Sequence, residues 1–368
     1  MAKRPNLAVT LALHEIVCFD EGDGWGDAEP YLWVCFYKID GSTCRLGPNG
    51  TLAGTVTIER RLGGHGNLQN TDVDAGDNVG VPASIGTWHT ELVPIPVDPA
   101  WIPIIQMDPS HPGQEDLPGL VGVMWILMEE DSLSDSAALA GYSAACSTLE
   151  VRLNEVLLNL GVLNPSITGT MEEDIKKAIS DAAKNAIKDN LNFLEAAWAF
   201  LGSPDDPLGG DTFRVSHDEL EPTTGISQPT IPYSRRWKGG PIVPGSVSLS
   251  DDTGDGEWEI RGRASAVELE PQTFQVTCVK RGGGEFIFNK TRISALGVLD
   301  KRGNRGIMWP GEVIRRLAQG DHFVVISPNG TSARVYQHPP TTEAPFWYLT
   351  TFADQTKGNN LGELPQCG

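Results

Sequence analysis

The sequence has few cysteines and no cysteine spacing typical of a metal site. Its 368 residues include six cysteines, none of them in a Cys-x-x-Cys pair or interleaved with histidines. This pattern excludes a structural zinc site, which needs closely spaced Cys and His ligands. Cys278 and Cys367 lie in the same C-terminal region and could pair in an exported protein; the alternative is that the sparse cysteines are buried thiols.

The sequence also lacks long apolar segments. Its longest apolar run, residues 120–128, is far shorter than the roughly 20 residues that a membrane helix needs. The apolar run that begins at Leu7 stops at His14 and Glu15, which is too short for a signal-peptide core. We therefore expect no transmembrane segment and no export by a signal peptide, so delivery outside the cell would need another route.

Positive charge is scarce in this chain. The 28 lysines and arginines stand against 48 aspartates and glutamates, so the net charge is -20. From residue 271 onward 11 basic residues face 7 acidic ones, which leaves 17 against 41 before it, or +4 and -24. Nucleic-acid affinity depends on neutralising phosphates, so we expect no nucleic-acid partner for the acidic part. The basic tail suits either an acidic partner or ordinary solvated surface.

Sequence motifs of catalysis are missing too. The chain contains no Gly-x-Ser-x-Gly elbow, no phosphate loop, no His-Glu-x-x-His and no Gly-x-Gly-x-x-Gly that opens a helix. We therefore expect a protein that is not an enzyme. A hydrolase that uses paired carboxylates is the catalytic alternative, because acidic residues are abundant.

Turn residues are plentiful, with 41 glycines and 26 prolines between short β-patterned segments. Stretches with strand patterns predict an antiparallel β-sandwich, and they lie at residues 6–18, 31–39, 55–60, 88–95, 120–128 and 256–269. The Pro- and Ser-rich residues 221–248 predict a long surface loop. The fold expected from these patterns is mainly β, with a first domain that spans residues 1–270.

A helical insertion interrupts this β pattern at about residues 135–201. Apolar residues recur every three or four positions over residues 135–160 and again over residues 170–201. The short link between them predicts an antiparallel α-helical hairpin that packs on itself or on the sheet. Charges of both signs on the polar faces favour core packing over a membrane or partner helix.

Residues 272–368 predict a separate, small α+β domain. Its strand patterns surround one short helix, which opens at Trp309 and Pro310 and runs to Ala318. The closing residues, Asn-Asn-Leu-x-x-Leu-Pro-x-Cys ending at Cys367, resemble a small bacterial domain family of unknown function. The resemblance covers roughly residues 272–368 and implies a module without an assigned activity.

Acidic residues concentrate in glycine-rich loops. Six aspartates occupy the loop after the first predicted strand and the loop after the helices, namely Asp20, Asp23, Asp27, Asp205, Asp206 and Asp211. Loop carboxylates can converge on calcium, which takes six to eight oxygen ligands in a flexible shell. A sandwich clusters its loops at two ends, so both loops can complete one metal site. The alternative is that these are ordinary solvated turns, which we also expect for residues 72–77 and 251–255.

Both loops resemble motifs of the calcium-dependent, phospholipid-binding C2 domain family. In "FDEGDGWGDAEPYLWVCF", Asp20 and Asp27 match ligand positions of that family, and the Pro-Tyr pair enters the following strand. In "PDDPLGGDTF", Asp205 and Asp206 match a later Asp-Asp segment of the family. The chain departs from the family by two residues inserted before the Pro-Tyr pair and by a helix in place of an Asp-x-Asp. The resemblance implies a C2-like β-sandwich that binds calcium and docks a membrane.

These observations lead us to expect a calcium-binding protein whose acidic loops dock a membrane or protein surface or order an assembly. Such an incomplete site suits weak binding, about 10⁻⁴ to 10⁻³ M, and is filled only where calcium is plentiful. The alternative is a structural protein that self-associates through exposed apolar residues at 97–105.

Overall fold

The computed structural model divides the chain into two compact units, Met1–Glu268 and Leu269–Gly368. It describes residues 4–20, 29–61, 63–68, 72–106, 114–129, 135–159, 177–179, 181–186, 189, 207–221, 230–238, 256–270, 272–281, 287–288, 291–318, 321–326, 332–338, 348–351, 361 and 364–367.

The first unit is built mainly from β-strands. In chain order they are β1 (Asn6–Asp20), β2 (Pro30–Ile39), β3 (Cys44–Leu46), β4 (Leu52–Gly54), β5 (Thr57–Glu59), β6 (His65–Asn67), β7 (Asn78–Gly80), β8 (Thr87–Leu92), β9 (Ile95–Pro96), β10 (Asp116–Leu117), β11 (Leu120–Glu129), β12 (Pro207–Ser216), β13 (Thr230–Lys238) and β14 (Glu257–Leu269). The helices are Ala83–Gly86, Ile102–Ile105, Asp135–Asn159, which we call the long helix, and His217–Leu220.

Most of these strands form two antiparallel sheets. The outer sheet has the order β13-β14-β1-β7, with β8 also paired to β1, and the central sheet has the order β12-β11-β2-β5, with β6 also paired to β2. The sheets pack face to face, because the ring of Phe36 lies 5.6 Å from that of Trp88 and the ring of Trp125 lies 4.9 Å from that of Trp237. The expected mainly β fold with antiparallel sheets is confirmed.

Strands β2 and β11 at the middle of the central sheet are buried on both faces. Leu32 and Val34 belong to the cluster between the sheets, whereas Trp33 and Cys35 belong to a second cluster with the long helix. This double burial explains why both strands are apolar at nearly every position instead of alternating.

The predicted helices lie on the outer face of the central sheet. The long helix contributes Tyr142 and Leu149 to the second cluster. Of the second predicted helix the structure describes residues 177–179, 181–186 and 189, and Ile179 is buried in the same cluster. We expected the helices to pack either on each other or on the sheet, and the long helix packs on the sheet. In the described residues no helix is long and apolar enough to span a membrane.

Residues 221–248, which the sequence assigns to a surface loop, contain strand β13. Ile231, Tyr233 and Trp237 lie on its inner side, and the residues between them are exposed. The many Pro, Thr, Gly and Ser residues of this stretch suggested a loop, but β13 is an edge strand, where Pro232 is tolerated.

All six cysteines lie in the described part of the chain. Cys35 of β2 forms a disulfide with Cys146 of the long helix, and Cys278 forms one with Cys367. Cys18 and Cys44 are free thiols and are buried. The pairing of Cys278 with Cys367 was one of two alternatives left open by the sequence, whereas the bond between sheet and helix was not foreseen.

A buried ionic cluster closes the end of the first unit where β1 begins. Arg4 Nη1 lies 2.9 Å from Asp116 Oδ1, and its Nη2 donates to Asp218 Oδ2 at 3.0 Å. The fully buried His217 follows β12 at the same end, and burial lowers its pKa to about 4. Asp218, Arg4 and Asp40 are the charged groups around it.

The second unit is one sheet with a helix. Its strands are β15 (Thr273–Arg281), β16 (Ile287–Phe288), β17 (Thr291–Leu299), β18 (Arg305–Met308), β19 (His322–Ile326), β20 (Ser332–His338) and β21 (Tyr348–Thr351), and its helix is Pro310–Ala318. The sheet order is β16-β17-β15-β19-β20-β21, with β18 also paired to β17.

The closing sequence motif of the chain has a structural explanation. Leu361 and Leu364 are buried in the core of the second unit. Cys367 N donates to Val279 O at 3.0 Å, beside the disulfide to Cys278. The two leucines and the cysteine therefore hold the chain terminus against β15.

We predict that the denatured, unreduced protein exposes two reactive thiols per chain, from Cys18 and Cys44. Thiol titration under oxidising preparation measures this, and peptide mapping should recover the Cys35–Cys146 and Cys278–Cys367 links. Six reactive thiols would contradict the pairing.

We predict that His217 makes the first unit sensitive to acid. In the unfolded chain His217 becomes protonated as the pH falls through about 6.5, whereas in the folded state it stays neutral until the pH falls to about 4. Acid therefore favours the unfolded state over this range. The free energy of unfolding should therefore decrease by about 3 kcal/mol between these pH values. Denaturant titrations across that range should show a smaller decrease for His217→Asn than for the wild-type protein. An unchanged slope for His217→Asn would contradict the assignment.

Candidate functional site

Two of the predicted acidic loops attach at the same end of the central sheet. Pro30, the first residue of β2, pairs with Glu129, and Pro207, the first residue of β12, pairs with Met128. Because neighbouring strands lie about 4.8 Å apart, the starts of β2 and β12 flank the end of β11 at about 10 Å from each other. The loop with Asp27 leads into the first start, and Asp206 immediately precedes the second.

The outer sheet places β13, β14 and β1 at this end as well. Lys238 at the end of β13 pairs with Glu257 at the start of β14. The Arg236 guanidinium lies 3.6 Å from the ring centroid of Phe19, next to the last residue of β1. Trp237 Nε1 donates to Leu208 O at 2.7 Å, which joins the two sheets at the start of β12.

The acidic turn at residues 74–77 lies beside the end of β1. Cys18 N donates to Asp77 O at 3.0 Å, and Gly76 N donates to Cys18 O at 2.8 Å. Asp77 N donates to Asp74 O at 3.0 Å, so this segment is the turn that the sequence predicts. Its position next to Asp20 was not foreseen.

We call this region the acidic end: Asp20, the turn at residues 72–77, and the strand ends next to the two remaining acidic segments. Asp251, Asp252 and Asp255 belong to the connection between β13 and β14 and lie outside the described residues, as do Asp205 and Asp206. These four acidic segments therefore each begin or end at the same side of the two sheets.

Carboxylates along the strands are neutralised by arginines. Asp211 Oδ2 lies 2.9 Å from Arg235 Nε, and Glu257 Oε1 lies 2.6 Å from Arg236 Nε. The hydrogen bond from Arg236 lowers the pKa of Glu257. Glu259 is paired with Arg261 in the same way, at 3.0 Å.

Four aspartates at the acidic end have no such partner. Asp20, Asp72, Asp74 and Asp77 are exposed, and none of them forms an ion pair with a described residue. Arg235, Arg236 and Arg261 of β13 and β14 are already bound to strand carboxylates. The negative charge of the four aspartates is therefore not neutralised by ion pairs with described residues, although Lys238 lies at the same end.

Of the six predicted calcium ligands, Asp20 lies at the acidic end and four lie outside the described residues: Asp23, Asp27, Asp205 and Asp206. Asp211 is not in the loop where the sequence places it. It lies inside β12, and besides Arg235 its carboxylate accepts from Thr212 N at 2.7 Å.

The two glycines before Asp211 explain this difference. They resemble a turn signal, but the indole of Trp237 lies directly against Gly209, where a Cβ atom would clash with it. Gly209 thus lets the Trp237 indole lie directly against β12, so the glycine marks a close contact within a strand and not a turn.

The donors at the acidic end fit a hard cation. The described residues bring the carboxylates of Asp20, Asp74 and Asp77 and the carbonyls of the turn, and oxygen is the ligand type that calcium prefers. Among the described residues alone, no three metal-ligating side chains converge. The described residues alone therefore do not form a metal site.

Residues 97–105, the other candidate surface, fold back on the first unit. Trp101 Nε1 donates to Pro48 O at 3.0 Å, and its ring covers Gly50. The described side chains of Pro99, Ala100 and Pro103 are exposed, whereas those of Val97, Trp101, Ile102 and Ile105 are half-buried. The larger apolar side chains that the structure describes here are therefore partly covered by the first unit, and self-association through this segment stays a prediction.

Comparisons with protein families, curated proteins and solved structures found no match to this chain. The role of the acidic end therefore has to follow from its own charge and geometry.

Proposed function

We propose that this protein binds calcium at the acidic end of its first unit and that the calcium-loaded end docks an anionic surface of a membrane or a protein. The observation that carries the proposal is the attachment of four acidic segments to one end of the sheets, where Asp20, Asp72, Asp74 and Asp77 form no ion pair with a described residue.

Electrostatics gives this end a reason to take up a cation. Like charges held close together disfavour one another's ionised form unless a positive charge lies among them. Asp20, Asp74 and Asp77 are exposed, so they bind a cation without the cost of burying it. Calcium suits carboxylates that come from several separate segments because its coordination shell is flexible.

Docking follows from the change of charge. Without calcium the acidic end repels phosphates and carboxylates, because both surfaces are negatively charged. Bound calcium removes part of this repulsion and offers open coordination positions to oxygens of the partner. The same role is implied by the resemblance of both loops to C2 domains, and catalysis is not required for it.

The disulfides favour an oxidising compartment for this function. Cys35–Cys146 and Cys278–Cys367 bonds persist in secreted and surface proteins, where thiols are not kept reduced. Extracellular modules bind calcium with dissociation constants of about 10⁻⁴ to 10⁻³ M. A weak site at the acidic end would be filled under those conditions.

We expect calorimetric titration to show calcium binding in that range, about 10⁻⁴ to 10⁻³ M. Asp20→Asn and Asp27→Asn should each weaken binding about tenfold, equivalent to the loss of about 1.4 kcal/mol. The matched control is Glu268→Gln, which removes an exposed carboxylate at the far end of β14. Affinity that is unchanged in both aspartate variants, or no binding at millimolar calcium, would contradict the proposal.

Vesicle sedimentation tests the docking step. We expect the protein to pellet with phosphatidylserine vesicles in calcium and to stay in the supernatant with chelator. Asp27→Asn should reduce pelleting and Glu268→Gln should not. Equal pelleting with calcium and with chelator would show that the acidic end is not involved, and no pelleting in calcium would exclude an anionic membrane as the surface.

A further inference from the structure

The second unit has an exposed edge strand. β18 pairs with β17 through four residue pairs, from Leu296 with Met308 to Leu299 with Arg305. Residues 301–307 are all exposed, and the side chains of Ile307 and Trp309 are 56% and 62% exposed. Exposed apolar side chains on an unpaired edge are unusual, because such edges invite pairing with another chain.

The turn before β18 determines which backbone groups face outward. Gly303 N donates to Asp300 O at 3.1 Å, and Asp300 N donates to Asn304 O at 3.0 Å. Pairs that exchange hydrogen bonds alternate with pairs that do not in an antiparallel ladder. Counting from Asn304, Gly306 and Met308 point their N–H and C=O groups toward β17, so those of Arg305 and Ile307 point away from it.

This edge is held in a fixed shape. The Asp300 carboxylate accepts from Arg302 N and from Asn304 N, each at 2.8 Å. Gly303 has a φ of 84°, a conformation that glycine adopts without strain. The strand is thus presented by an ordered hairpin.

The side chains of β18 separate by face. Arg305 and Ile307 share one face of β18, whereas Met308 packs against the core of the second unit. The exposed Trp309 directly follows the strand at the next position of the same two-residue period, and its carbonyl accepts from Glu312 N and Val313 N at the start of the helix. One face of this edge therefore carries a cation, an aliphatic side chain and an indole in a row.

We propose that β18 pairs antiparallel with β18 of a second copy of this chain, about a two-fold axis at Ile307. In this register the N–H and C=O groups of Ile307 bond to those of Ile307 in the second copy. Arg305 then lies opposite Trp309 of the second copy, and the reverse contact follows by symmetry. A guanidinium over an indole is attractive, so the strand is complementary to itself.

This complementarity selects a second copy as the occupant. An acidic partner would match Lys301, Arg302 and Arg305, but it would leave the exposed Ile307 and Trp309 and the outward backbone groups unexplained. One short strand buries less area than a standard interface, so the dimer is weak and reversible. It does not depend on calcium, because the aspartates of the acidic end take no part in it.

Sedimentation equilibrium of the full chain over a concentration series, in chelator, tests the proposal. We expect a monomer–dimer equilibrium whose dissociation constant rises at least about tenfold in Ile307→Pro and in Ile307→Lys. Proline at an edge position removes the outward N–H without disturbing the ladder, and Gly306 before it avoids a steric clash. Ile326→Lys, at an exposed isoleucine on β19, should leave the dissociation constant unchanged.

Cross-linking places the contact. Ile307→Cys should give a covalent dimer with a short bismaleimide. Ile326→Cys should not, because position 326 lies outside the proposed contact. Cys18 and Cys44 are buried, so they should add little background reaction. The proposal is overturned if the chain stays monomeric at every concentration, if Ile307→Pro leaves the dimer intact, or if Arg305 instead mediates binding of monomers to polyglutamate. Loss of calcium binding in Asp27→Asn with an intact dimer would separate this inference from the proposed function.

Discussion

Burial of β2 and β11 on both faces is the constraint on which the first unit depends. The outer sheet covers one face of these strands and the long helix covers the other, so side chains on both faces lie in an apolar environment. An unpaired charge there would cost several kcal/mol, so the charged residues of β2 and β11 lie only near the strand ends. Lys38 near the end of β2 shows this limit, because its ammonium reaches Asp40 at 2.8 Å and Glu91 O at 2.7 Å.

The two ends of the sheets answer this constraint in opposite ways. At one end Arg4 lies between Asp116 and Asp218 and forms ion pairs with both inside the protein. At the other end four exposed aspartates form no ion pair with a described residue. The ion pairs of Arg4 need no other molecule, whereas the exposed aspartates of the acidic end carry negative charge that a cation from solution can neutralise. This contrast is the reason to assign function to the acidic end.

Much of the framework can be predicted from the sequence where an apolar pattern continues over many residues. β1, β2, β11 and the long helix lie close to their predicted bounds, because each packs against a neighbouring layer along most of its length. Edge strands escaped prediction, since β13 and β18 bury little and carry arginine, glycine or proline. The acidic segments were visible in the sequence, but their common end depends on strand order. The Cys35–Cys146 bond likewise depends on which helix face meets which sheet face.

The two proposals concern separate parts of the molecule, and the acidic end carries the central one. Hydrogen exchange with and without millimolar calcium, read peptide by peptide, tests it most directly. We expect calcium to slow exchange in the segments that join β1 to β2, precede β12 and join β13 to β14, and to leave the peptides around Arg4 and His217 unchanged. Slower exchange around Arg4 and His217, or no calcium-dependent change in any of the acidic segments, would contradict the account.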